Sequence, residues 1–85
     1  MSMIEEITEH YPESLVLPAV FNSAILGMVS RCGMEDIVCY DYNKVIYLLI
    51  KRDGLSHEEA VEHFEFNIIG SYVGDYTPCF LNKDI

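Results

Sequence analysis

Apolar positions along the 85-residue chain fall into segments of different period, and each period implies a different backbone. Ile4 and Ile7 lie three apart among Glu5, Glu6 and Glu9, which predicts a short amphipathic helix from Ser2 to Tyr11, ended by Pro12. Between Glu13 and Arg31 the pattern is ambiguous, because Pro18 interrupts the run Leu15, Val16 and Leu17, and Ala24 to Val29 is apolar apart from Gly27. The favoured reading is a β-hairpin: a strand from Ala24 to Arg31, a turn over Cys32 to Asp36 around Gly33, and a return through Ile37, Val38, Cys39 and Tyr40. A helix capped by Asn22 or Ser23 and stopped at Gly33 is the alternative.

The next two segments carry clear start and stop signals. Asp41 reads as an N-cap and Gly54 as a C-cap, bounding a helix from Tyr42 to Arg52 whose apolar residues nearly encircle it, as in a central buried helix. Ser56-His57-Glu58-Glu59 matches a capping box, with Leu55 and Ala60 placed for a hydrophobic staple. At about 100° per residue, Ala60, Val61, Phe64 and Ile68 share one arc and Glu58, Glu62 and Glu65 lie outside it. Phe66 falls on the far side, so either another segment covers it or it marks a contact surface. Glycines, a proline and polar turn formers make Gly70 to Pro78 a loop, and Cys79, Phe80 and Leu81 a last short strand. The sum is one α+β domain over residues 1–85: a short N-terminal helix, a β-hairpin, two consecutive helices and a short C-terminal strand.

Composition narrows the function classes. With 51% hydrophobic residues the chain has enough apolar material for one core, despite a formal net charge of -9. That charge opposes direct binding to a phosphate backbone or an anionic membrane, and it either complements a basic protein surface or serves only to keep the chain soluble. It is unevenly placed, with two patches: Glu5, Glu6, Glu9 and Glu13, and then Asp53, Glu58, Glu59, Glu62 and Glu65. The 3 cysteines, Cys32, Cys39 and Cys79, admit at most one internal disulfide and suit a reducing compartment. MSMIEEITEH lacks the basic and apolar regions of a secretory signal, and the longest apolar run, Val45 to Ile50, is far too short to span a bilayer. A cytoplasmic protein is expected.

No cofactor or metal is expected. His57 and His63 stand on different helix faces, and no CxxC or HxxxH occurs. Asp41-Tyr42-Asn43 starts like a calcium loop, but Ile46 replaces its glycine and Arg52 its bidentate glutamate. Asp41, Asp53, Glu65 and Asp75 have no spacing that requires magnesium, and nucleophile, phosphate-loop and dinucleotide signatures are missing, so an enzyme is not expected.

The candidate binding residues are Glu59, Glu62, Glu65, Phe66, Asn67, Tyr72, Asp75, Tyr76 and Thr77. Tyrosine and phenylalanine give large contact area, and acids around them suit a basic partner. Tyr40, Tyr47, Phe64 and Phe80 are assigned to the core, and Phe66, Tyr72 and Tyr76 to an interface. Two other readings stand beside this one: a small-ligand or nucleotide site at the Gly70 to Pro78 loop, with Glu65, Asn67, Tyr72, Asp75 and Thr77 converging on it, and a homo-oligomer that buries Phe66.

The stretch YDYNKVIYLLIKRDGLSHEEAVEHFEFNIIGSYVGDYTPCFL, above all its RDGLSHEEA, FEFN and YVGDYTP parts, resembles a family of small uncharacterised proteins encoded by tailed bacteriophages and prophages. The likeness extends back through LPAVFNSAILGMVSRCG. It transfers no functional residue. It implies action in the bacterial cytoplasm during infection, as an accessory protein that binds and inhibits a host protein such as a defence or nucleic-acid-handling factor.

Overall fold

A computed structural model describes residues 3–70 and 74–83. Its order is helix α1 (Met3–His10), a 3-10 helix (Ala19–Ala24), strands β1 (Ile25–Arg31) and β2 (Met34–Asp41), helices α2 (Tyr42–Asp53) and α3 (His57–His63), a π-helix (Phe64–Ile69) and strand β3 (Cys79–Leu81). The expected α+β plan is therefore present, with its hairpin, consecutive helices and final strand.

The hairpin differs from expectation at both ends. Asn22 to Ala24 close the 3-10 helix, so the first strand begins at Ile25, one residue later than expected. The helical alternative for Asn22 to Gly33 survives only in that single short turn. The second strand begins at Met34 because Gly33, at φ 70, lets the chain reverse in two residues and brings Arg31 opposite Met34. The polar residues expected in a longer turn are instead absorbed by an irregularity in β2 between the pairs Arg31–Met34 and Val29–Ile37. A second irregularity, between Ile25–Tyr40 and Gly27–Cys39, adds its extra residue to β1 and restores the original offset.

Strand β2 is central, antiparallel to β1 and parallel to β3. A parallel neighbour needs a long crossover, and α2, α3 and the π-helix supply it. The core gathers Ile7, Leu17, Phe21, Val38, Tyr40, Val45, Leu49, Ala60 and Phe64, joining α1, the 3-10 turn, the sheet and both central helices. Phe80 stacks on Tyr40 at 5.8 Å and meets Phe64 edge-on at 4.7 Å, so the short edge strand is held by an aromatic cluster as well as by its ladder.

Both caps of α2 take their expected forms. The Asp41 carboxylate accepts the Lys44 N–H at 3.3 Å, and Gly54 closes the helix in the left-handed region at φ 65. Val45, Ile46 and Leu49 are buried and Leu48 and Ile50 partly so. Tyr47 corrects the core assignment: it lies on the outer face, 49% exposed, with Lys44 and Lys51 at 5.6 and 5.7 Å from its ring. Two cations one turn away on either side give this ring a reason to face water.

Candidate functional site

The capping box sets the phase of everything after it. Ser56 Oγ accepts the Glu59 N–H at 3.2 Å, and the Glu59 carboxylate accepts the Ser56 N–H at 2.9 Å. The backbone and side chain of Ser56 thereby hold the Glu59 carboxyl below its ordinary range. With the start fixed, Ala60, Phe64 and Ile68 turn inward and are buried, and Glu58, Glu62, Glu65 and Phe66 turn outward. Glu59 is thus a cap as well as part of the acidic surface.

Phe66 is 77% exposed and Ile69, three residues on, is 50% exposed. Both belong to the π-helix, whose wider turn keeps Phe64 and Ile68 together under the core while leaving Phe66 on the opposite side. Its last turn is closed by Gly70 N–H to the Glu65 carbonyl at 3.2 Å, and a Cβ at Gly70 would meet the Phe66 carbonyl oxygen at 2.9 Å. Glycine at 70 is therefore part of what holds the Phe66 turn in this form. Sequence periodicity locates Phe66 on the outer face but carries no signal for the π turn.

The cations of the chain are engaged elsewhere. Arg52 pairs with Asp53 at 3.8 Å, Lys83 with Asp41 at 3.4 Å, and Arg31 donates to the carbonyls of Glu35 and Asp75, at 2.9 and 2.8 Å. None of these contacts, nor the Lys44 and Lys51 approaches to Tyr47, involves Glu58, Glu59, Glu62 or Glu65. The helix therefore presents a run of exposed carboxylates beside an exposed phenyl ring.

The remaining candidates separate. Asn67 faces His63, Nδ2 to Nδ1 at 3.3 Å, and lines a shallow recess with Leu17, Pro18, Phe21 and Arg52. Asp75 lies at the hairpin end beside Gly33, Met34 and Glu35. Thr77 closes a turn, its N–H pointing to the Gly74 carbonyl at 3.4 Å, and its Oγ1 is buried without a hydrogen-bond partner among the described residues. Tyr72 lies outside the described residues. Among the described residues, Asn67 at the helix end and Asp75 at the loop end line different recesses.

Tyr76 marks a feature that sequence reasoning missed. The nearby Glu13 carboxylate, as hydrogen-bond acceptor and as charge, raises the ionisation of its hydroxyl above the ordinary tyrosine range, with the charges of Glu35 and Asp75 adding to the effect. It lines a recess of about 350 Å³ with Tyr11, Glu13, Ser14, Glu35 and Asp36. The N-terminal acidic patch thus continues onto the hairpin. These residues are far apart in sequence, and no local pattern announces their meeting.

Among the described residues no helix is long and apolar enough to cross a membrane, and no group of three or more His, Cys, Asp or Glu side chains is placed to hold a metal ion. Comparison of the chain with protein-family models, with curated proteins and with solved structures gives no match.

Proposed function

We propose that this chain is a binding protein that docks a partner's basic surface through the outer face of α3 and the π-helix, with Phe66 as apolar anchor and Glu58, Glu62 and Glu65 as its acidic rim. The observation that carries this reading is the Phe66 ring, 77% exposed beside Ile69 on a strongly acidic helix. Burying a phenyl side chain contributes roughly 1.5–3 kcal/mol, and carboxylates around it steer a cationic partner and select against acidic ones. The resemblance to phage-encoded proteins supplies the context: an accessory protein that inhibits a host protein, of which a defence or nucleic-acid-handling factor is the candidate class.

The test is capture from bacterial lysate at several salt concentrations with three baits: the unmodified protein, Phe66→Ala, and Glu62→Gln with Glu65→Gln. A specific partner should be retained at low salt and released as salt rises. Phe66→Ala should weaken its binding by about 2 kcal/mol, roughly thirtyfold. A partner held equally by all three baits would exclude this face. A solution mass that falls on Phe66→Ala would instead assign Phe66 to a contact between copies. The small-ligand reading lacks comparable support, because Asn67 and Asp75 line separate recesses.

A further inference from the structure

Cys39 and Cys79 are direct partners in the parallel β2–β3 ladder. Side chains alternate across a sheet, and the residues that follow each cysteine, Tyr40 and Phe80, stack on the core face. The two cysteines therefore project together from the other face, where both are half-buried free thiols. Neighbouring strands lie about 4.7–4.9 Å apart, within the roughly 4.4–6.8 Å between Cα atoms that a disulfide spans. Cys32 is excluded as a partner for either, since it lies at the hairpin turn, seven residues along the strand direction from Cys39 and so roughly 20 Å away.

We propose that Cys39 and Cys79 form a dithiol pair that is converted to an intramolecular disulfide by exchange with a small-molecule disulfide, fastening the edge strand β3 covalently to β2. One protein thiolate attacks the small disulfide, forming a mixed disulfide and releasing one small thiolate, which takes up a proton. The second protein sulfur, after losing its proton, then attacks the protein-bound sulfur of the mixed disulfide and expels the second small thiol. Two protein thiols are oxidised, and one small disulfide is reduced to two thiols.

In either order Cys39 serves once as nucleophile. Burial, the hydrogen bond and charge of Cys79, and the charge of Asp41, itself paired with Lys83, push the Cys39 thiol up to about 11. Its thiolate is scarce near neutrality, so exchange is slow there and quickens with pH.

The experiment uses Cys32→Ser, which removes the exposed thiol, incubated with excess oxidised glutathione and mapped by mass spectrometry without reduction. The expected product has lost two hydrogens, joins the Cys39 and Cys79 peptides, and reverts with dithiothreitol. Its rate should rise as pH is raised from neutrality. Cysteines that remain free, or that carry glutathione separately, would overturn the proposal. Joining that proceeds as readily in urea as in the folded protein would overturn it too, because strand register would then play no part.

Discussion

The Tyr40 hydroxyl accepts the Leu17 N–H at 2.8 Å in the interior of the domain, where the Tyr40 side chain is 0% exposed. This bond fastens an irregular segment to the central strand. Leu17 precedes Pro18, which starts the 3-10 helix, and the Leu15 N–H is held by the Tyr76 carbonyl at 3.2 Å. The segment is thus tethered both to β2 and to the loop before β3. Tyr40→Phe keeps the ring and removes the hydroxyl, leaving the buried Leu17 N–H without this acceptor. Urea unfolding should show a loss of about 1–3 kcal/mol. A change within about 0.5 kcal/mol, the range of an ordinary surface substitution, would show that the bond is replaced by water.

The capping box makes a pH-dependent contribution of known sign. The folded-state value of Glu59 is depressed, so the stability it adds is fully present above the unfolded value, near 4.5, and is lost as pH falls through the folded one. Ser56→Ala should remove about 0.5–2 kcal/mol at neutral pH. It should also flatten the acid side of the stability profile in part, because the Ser56 hydroxyl that helps depress Glu59 is gone while the N–H at position 56, the larger cause, remains. Thermal melts across an acidic pH series measure both, and an unaltered acid side would mean that other carboxylates dominate it.

Thr77 separates a structural residue from a ligand-binding one. Its buried Oγ1 has no partner among the described residues, and an unsatisfied hydroxyl costs free energy. Thr77→Val retains the shape and discards the hydroxyl, so the urea midpoint should rise, by about 1 kcal/mol in stability. A clear drop in stability would show that the hydroxyl has a bonding role in the folded protein.

What could be read in the sequence was local. Asp41 and Gly54 bound α2, and Ser56 with Glu59 starts α3, because a cap is decided by residues within one turn of each other. The exposure of Phe66 followed from periodicity. The hairpin was legible through Gly33 and the β-branched return, but its ends were not, since paired irregularities absorb residues that look like turn formers. Tyr47 was misplaced because an aromatic on a helix with apolar residues on most sides looks like core, and its two flanking lysines decide otherwise. The meeting of Glu13 and Tyr76 in one recess and the parallel pairing of β3 depend on the closure of long chain segments, and neither leaves a trace in local pattern.

The parallel placement of β3 also bears on the order in which the molecule assembles. Antiparallel β1 and β2 are joined by two residues, so their contacts are of low sequence separation, and α2 and α3 follow with short connections. Strand β3 pairs across that whole helical crossover, and the entropy of closing so long a loop must be met before Phe80 reaches Tyr40, which predicts that β3 docks late. Phe80→Leu should therefore speed unfolding while leaving the folding rate nearly unchanged, a φ-value near 0 by stopped-flow. A value near 1 would place β3 in the nucleus. With the low value, β3 is the last piece to dock and the first to leave, and the central strand spends every brief opening with one edge bare.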